Sequence, residues 1–454
     1  MRAEQSPRVE VTETLPPGYR LTELGPLPEE WRVVRLGGVV SISKKPRNLV
    51  RPNKTPFIPM EAIPDNGTLY PSRIEWRPGK DVRSGVYCEP GDILFAKITP
   101  SLENGKQAIV PPQVEFAYAT TEVYPLKPSA AVDTLFLFSF LQASWVRELL
   151  AGKMEGSTGR QRLAKHALLN HRLPLPPLPE QRAIAQVLRA VQEAKEATER
   201  VLAALRELKK SLMRHLFTYG PVAVDATDRV PMQETELGPL PAHWGVVRLE
   251  QVTVRSFSGG TPSTANPSYW GGHIPWITSA IIGEDDVSLR KFQRTITEEG
   301  LNNSSASVAP ADSLLVGTRV GVGKAAVALF DVAINQDLTA LILNEEAHPY
   351  FLAYLLKMWG YKSWFENNKR GATIKGIPRD ELLKLLIPLP PLPEQREIAR
   401  ILRAVDEKIQ AEEARKEALG ALFKTLLHEL MTAKRRLPAE FVAQFAEPLS
   451  GGRP

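Results

Sequence analysis

One cysteine, Cys88, in a chain of 454 residues leaves no room for an internal disulfide framework or a cysteine-built zinc site, and it suits a reducing cytoplasm. Long apolar runs are missing too. The most apolar window, residues 135–141, is interrupted by Ser139 and is far shorter than the ~20 residues a bilayer-spanning helix needs. The opening stretch, MRAEQSPRVEVTETLPPGYR, has no apolar centre and does not read as a signal peptide. A soluble, cytoplasmic protein without membrane contact is expected.

Catalytic hardware is equally scarce. His166, His171, His215, His243, His273, His348 and His428 form no metal-ligand spacing, so no metal site is expected. Residues 317–325, GTRVGVGKA, resemble a phosphate-binding loop, but Thr318 stands where the first glycine is needed and Ala325 where a hydroxyl must reach magnesium. A Gly-rich turn after a strand is the better reading. The segment NPSY at 266–269 lacks the second proline of the amino-methyltransferase type, and no Gly-rich cofactor loop precedes it. The acidic pairs Asp285–Asp286 and Glu345–Glu346 read as turns. No catalytic residue and no cofactor bound by this chain are expected, which leaves binding.

What the chain does have is a second copy of itself. Residues 174–191, PLPPLPEQRAIAQVLRAV, return at 388–405 as PLPPLPEQREIARILRAV, with fifteen of eighteen positions identical. TELGPLPEEWRVVRL at 22–36 returns at 235–249 as TELGPLPAHWGVVRL. Phe136, Leu137, Phe140, Leu141 and Trp145 fall on Tyr350, Phe351, Tyr354, Leu355 and Trp359, again 214 residues on. A fixed period of this kind marks a tandem duplication.

The repeats divide the chain into an N-terminal polar extension (1–22), a first variable block (23–173), a repeated helical spacer (174–220), a second variable block with its linker (221–387), a second spacer (388–436) and a tail (437–454) expected to be disordered. Leu-Pro-Pro-Leu-Pro favours an extended, polyproline-like lead-in. Pro179 and Glu180 then suit the first turn of a helix. Ile184, Val187, Val191, Ala194, Thr198, Val201, Leu205, Leu208 and Leu212 recur at spacings of three and four, a heptad seam. The second copy loses its seam near 412–416, where pairing is expected to be looser or open to another chain. Helices of about 40 residues, about 60 Å long, need to bury their stripes. An intramolecular antiparallel coiled coil related by a pseudo-twofold is the simplest way, with packing of each helix on its own block as the alternative. The variable blocks mix short β-rich runs (33–36, 92–97, 123–126; 246–249, 313–316, 339–343) with turn signals, and each ends in an aromatic helix. They read as mixed α/β (α+β) domains.

Lys plus Arg outnumber Asp plus Glu by 57 to 51, a net charge of +6, which suits an anionic partner. Lys44, Lys45, Arg47, Arg51 and Lys54 crowd one polar stretch, and Lys153, Arg160, Arg162 and Lys165 another. Arg290, Lys291, Arg294, Arg319, Lys324, Lys369, Arg370 and Lys375 are the second block's candidates. Such clusters can neutralise phosphates while neighbouring polar side chains read base edges; ordinary solvated surface is the plain alternative. Two basic domains held at a fixed separation match the geometry of a bipartite DNA site.

The paired PLPPLPEQR segments and the two LGPLP…W segments resemble the specificity subunit of type I restriction-modification enzymes, as do SGGTPS at 258–263, IPWIT at 274–278, GDILFAK at 91–97 and GATIKGI at 371–377. The likeness runs from about 24 to about 436. It implies two target recognition domains, each reading one half of a split double-stranded DNA sequence, with the helices as a ruler. It further implies two methyltransferase subunits carrying S-adenosylmethionine, and restriction-translocase subunits using ATP and Mg2+. On this reading Lys97, Ser258 and Thr261 join the basic residues as DNA-binding candidates. Pro179, Glu180, Gln181, Ile184 and Leu188, with Pro393, Glu394, Gln395, Ile398 and Leu402, are the candidates for spacer and subunit docking. The alternatives are a coiled-coil protein-interaction scaffold and the specificity subunit of a solitary or related methyltransferase system.

Overall fold

The computed structural model describes residues 15–49, 52–82, 84–157, 159–371 and 375–446. Arg51, residues 372–374 of the GATIKGI segment and the outermost parts of the extension and tail lie outside the described residues. The chain forms two compact units, Met1–Val201 with Glu413–Pro454, and Leu202–Glu412.

In the first unit the repeated LGPLP segment makes a hairpin, Tyr19–Thr22 against Gly25–Pro28. Gly25 closes it at φ +97°, and Gly238 closes its counterpart at φ +93°, a conformation that side chains with a Cβ resist. The next strand, Arg32–Arg35, pairs antiparallel with Arg172–Leu175, and in the second unit Gly245–Arg248 pairs with Leu386–Leu389. The two repeated motifs therefore grip each other, and each variable block is stitched shut where it begins and ends. The first residues of the Pro-rich lead-in are thus a paired strand and not free polyproline. Leu173 and Leu175 are buried on one face, and a two-stranded ribbon tolerates Pro174 because each strand is an edge.

The blocks share one topology despite unlike sequences. The first holds a sheet in the order Glu75–Pro78, Lys54–Ile58, Ala117–Ala119, Val86–Cys88 and another in the order Val40–Ile42, Val123–Pro128, Ile93–Ala96, Gln107–Ile109. The second repeats both as Arg294–Ile296, Trp270–Ile277, Val332–Ile334, Ser307–Ala309, and as Thr253–Ser258, Leu338–Leu343, Leu314–Gly317, Ala325–Ala328, with Ser288–Leu289 added at the edge. Even the parallel pair within the first sheet recurs at the same place. The aromatic helix following each block is broken in two, Thr134–Gln142 and Ser144–Ala151 in the first. There Arg147 Nε donates to the Leu141 carbonyl at 2.6 Å, partnering an oxygen at the break.

The long helices, Leu178–Tyr219 and Leu392–Met431, pair antiparallel inside each unit and pack on its block as well. In the first unit Ile184 and Leu188 share a core with Leu427, Leu430, Met431, Trp31, Phe136 and Leu173, and Lys416 reaches Glu199 at 3.0 Å. In the second, Leu216 and Phe217 share a core with Ile398, Leu402, Trp244 and Phe351, and Lys209 meets Asp406 at 2.6 Å. The seam is not the expected heptad throughout: Val201 and Leu208 are 41% and 47% exposed, while Leu202 is 4% exposed. The buried line Ile184, Leu188, Gln192, Thr198, Leu202 steps mostly by four, as a 3.6-residue helix facing a broad core requires. The stretch around 412–416, expected to pair more loosely or open to another chain, carries an ion pair to the other helix, Lys416 to Glu199 at 3.0 Å, and one within its own, Lys408 to Glu412 at 2.6 Å. The tail is ordered as far as it is described. Ala439–Ala443 is helical, Leu437 packs on the first core, and the Phe445 carbonyl accepts from Arg182 at 3.3 Å. Among the described residues no helix is long and apolar enough to cross a membrane.

Candidate nucleic-acid interface

Where strands Val40–Ile42 and Ile93–Ala96 end and Val123–Pro128 begins, the first unit opens a cavity of about 370 Å³ lined by Ser43, Lys45, Tyr87, Lys97, Tyr118 and Tyr124 among others. The Lys97 ammonium sits 4.9 Å over the Tyr124 ring. Burial holds it below the ordinary lysine range, with Glu122 pulling the other way and Arg162 adding to the depression. Tyr124 in turn donates to the Leu163 carbonyl at 2.9 Å, and the Leu163 amide donates to the Lys97 carbonyl at 2.8 Å. These bonds fasten the hairpin Met154–Ser157/Arg160–Leu163 beside the cavity. That hairpin carries exposed Arg160 and Arg162, the latter paired with Glu122 at 2.6 Å. Lys45, Lys97 and Arg162 are therefore brought together, with Lys44 adjoining. Arg47 is exposed on the loop beyond, and Lys54 is exposed at the start of the other sheet.

The same strand ends in the second unit carry hydroxyls. Ser258 Oγ lies 3.1 Å from Thr339 Oγ1, which lies 3.1 Å from Thr318 Oγ1. Thr318 precedes exposed Arg319, and the Thr318 carbonyl accepts from the Ile377 amide at 2.7 Å. Next to Ile377, Gly376 bridges to Arg370 beside exposed Lys375. Thr261, on the Gly-Gly loop after Ser258, donates to Gln336 at 3.0 Å. Arg294 stands apart, stacked 3.9 Å over Trp270 near exposed Phe292. Lys324 departs from expectation. Its ammonium donates to the Ile282 carbonyl at 2.7 Å and its side chain is only 16% exposed, so it ties its turn to the loop around Ile282. That turn joins two antiparallel strands, whereas a phosphate-binding loop opens a helix.

The expected docking residues are mostly turned inward. The Trp31 indole donates to Glu180 at 2.8 Å and Trp244 to Glu394 at 3.1 Å; Arg436 also pairs with Glu180 at 2.8 Å. Gln181 accepts from the Asp133 amide and donates to the Ala131 and Pro176 carbonyls. Gln395 repeats this with His348, Glu346 and Pro390. Ile184, Leu188, Ile398 and Leu402 are all buried at 1% exposure or less. These side chains clasp the repeated frame, and of the docking candidates among them only Glu394, 26% exposed, keeps part of its surface. Pro393 is exposed and Pro179 half-buried.

Sequence reasoning missed Tyr124, Thr318 and Thr339, which matter through strand register, and Arg147. Fully buried without a carboxylate, Arg147 donates to the Leu102 and Gly105 carbonyls and to Gln107, and burial pushes it down to about 9. It fixes the loop that follows Lys97. Among the described residues no His, Cys, Asp or Glu cluster could hold a metal ion.

The family described as type I restriction modification DNA specificity domain matches residues 28–207 and again 241–421. A Methanocaldococcus jannaschii protein assigned as the MjaX type I restriction enzyme specificity subunit is 25% identical over 432 residues, covering 92% of this chain and 97% of its own. The MjaVIII specificity subunit of the same organism is 24% identical over 430 residues, 90% of this chain and 94% of its own. In fold, the crystal structure of the type I restriction-modification system S subunit from M. genitalium aligns at a TM-score of 0.57 with 14% identity, over 88% of this chain and 96% of that one. With its two matches spanning both units, the chain belongs to the type I restriction modification DNA specificity domain family.

Proposed function

We propose that this chain is the non-catalytic DNA-reading subunit of a type I restriction-modification complex acting in the cytoplasm. Each unit reads one half of a split double-stranded target, and the paired helices set the spacing between the halves. Two methyltransferase subunits supply the S-adenosylmethionine chemistry, and restriction-translocase subunits supply ATP- and Mg2+-dependent cleavage. This chain itself binds no cofactor. The observation that carries the reading is that two blocks of one topology, closed by near-identical clasps, present unlike side chains at the same strand ends. A protein that must read two different sequences with one architecture needs that combination. Lys44, Lys45, Lys97, Arg160 and Arg162 in the first unit, and Ser258, Thr261, Arg294, Arg319, Arg370 and Lys375 in the second, supply the DNA contacts. Mapping methylated bases produced by the chain reconstituted with its methyltransferase subunits tests this. A split motif with a fixed non-specific spacer is expected; a continuous motif, or binding that does not weaken steeply with salt, would count against it.

A further inference from the structure

We propose that the strand ends shared by the two units read bases with opposite hydrogen-bonding polarity: a donor from Lys97 on a central strand of the first unit and an acceptor from Ser258 on the neighbouring strand of the second. The inference rests on the reading that each unit contacts DNA, and it names the side chains that discriminate bases.

Register establishes the equivalence. Ala96 pairs with Val123 at the end of the first unit's central strands, and Gly317 pairs with Leu338 in the second. Lys97 and Thr318 are then the next residues on one side, and Tyr124 and Thr339 on the other. Ser258 faces Thr339 on the strand that corresponds to Val40–Ile42.

Lys97 can only donate. Its backbone is held on both sides, the amide donating to Glu122 at 3.0 Å and the carbonyl accepting from Leu163 at 2.8 Å, and its cation is seated over Tyr124. Among the described residues the ammonium donates to no acceptor, so its three donors are available at the cavity mouth. Guanine, with O6 and N7 side by side in the major groove, is the base edge that answers such a donor.

In the second unit a carbonyl sets the direction of a hydroxyl chain. Thr318 Oγ1 donates to the Asp337 carbonyl at 3.4 Å, which can only accept. A hydroxyl has one proton, so Thr318 must accept from Thr339, and Thr339, its proton spent, must accept from Ser258. Thr318 and Thr339 are buried and Ser258 is exposed. With its proton turned inward, Ser258 shows only lone pairs outward, and these suit the exocyclic amino group of adenine or cytosine.

The test uses the intact chain assembled with its methyltransferase subunits, a randomised duplex DNA library, and sequencing of the methylated products. Lys97→Met is expected to lower discrimination about tenfold or more at one guanine of one half-site and leave the other half intact. Ser258→Ala should do the same at one adenine or cytosine of the other half. Lys97→Arg, which keeps paired donors, should retain guanine. The proposal is overturned if either variant, assembling normally, keeps the parental selectivity, or if the change falls in the wrong half. It is also overturned if Lys97→Met weakens binding to every sequence alike and lowers the salt slope by about one, the mark of a phosphate contact. In those cases the split motif of the unmodified complex would still support the DNA-reading role; its absence would overturn both.

Discussion

Lys97 and Tyr124 in the first unit hold the places that Thr318 and Thr339 hold in the second, yet Trp31, Glu180 and Gln181 recur unchanged as Trp244, Glu394 and Gln395. The difference lies in what each side chain must satisfy. Gln181 and Gln395 each serve one backbone amide and two carbonyls, and replacing either would orphan buried polar groups at about 1–3 kcal/mol apiece. The strand-end side chains meet different local partners in the two units, Tyr124 the Leu163 carbonyl and Thr318 the Asp337 carbonyl, so one backbone accommodates unlike chemistry there. Constancy follows structural debt in the repeated frame, while the blocks between vary throughout and keep one topology.

The comparison can be broken most severely at the helices. One heptad inserted in each long helix, where the chain passes between units, adds about 10 Å at 1.5 Å per residue, or about three base pairs at 3.4 Å each. The methylated motif should gain a spacer of that length and lose the parental one; an unchanged spacer would remove the ruler. Next come the cores. Leu188→Ala and Leu402→Ala, at fully buried and equivalent positions, should each cost about 2–5 kcal/mol in urea unfolding, and similar losses are expected because the surroundings repeat.

The clasps should then differ. Glu180 is 5% exposed and faces Trp31 and Arg436, whereas Glu394 is 26% exposed and faces Trp244 and His243. Glu180→Gln is expected to cost about 3 kcal/mol and Glu394→Gln about 1 kcal/mol; equal losses would show that burial does not set the difference. A further effect is acid sensitivity. His171, buried against Phe140, is pushed down to about 4 by burial, with Lys153 adding to the effect. The unfolded chain, with a histidine near 6.5, binds the proton more readily. Stability contributed by the neutral ring is therefore complete above about pH 6.5 and is lost as pH falls towards 4. A loss of about 3 kcal/mol over that window should flatten in His171→Gln.

The duplicated frame, the long helices and the strand positions were legible because they rest on local pattern: proline stops, apolar periodicity and β-branched runs. The pairing of Arg32–Arg35 with Arg172–Leu175 was not, since its partners are far apart in sequence and nothing in PLPPLP announces a strand. The shared topology of the blocks was hidden for the opposite reason, because divergent side chains satisfy one backbone. Among the candidate residues, Lys45 and Arg162 were singled out by charge and Lys97 by the family resemblance, and the fold brings the three together. Charge did not reveal that the Lys324 ammonium donates to a carbonyl of its own unit. Thr318 and Thr339 carry no charge and give no sequence signal; only register places them.

The central claim, that each unit reads its own half of the target, is tested most directly by exchanging residues 23–173 for the corresponding block of a family relative and mapping the bases that the reconstituted complex methylates. The account predicts a motif in which one half changes and the other half and the spacer stay as they were. A motif changed in both halves, or in neither, would contradict it.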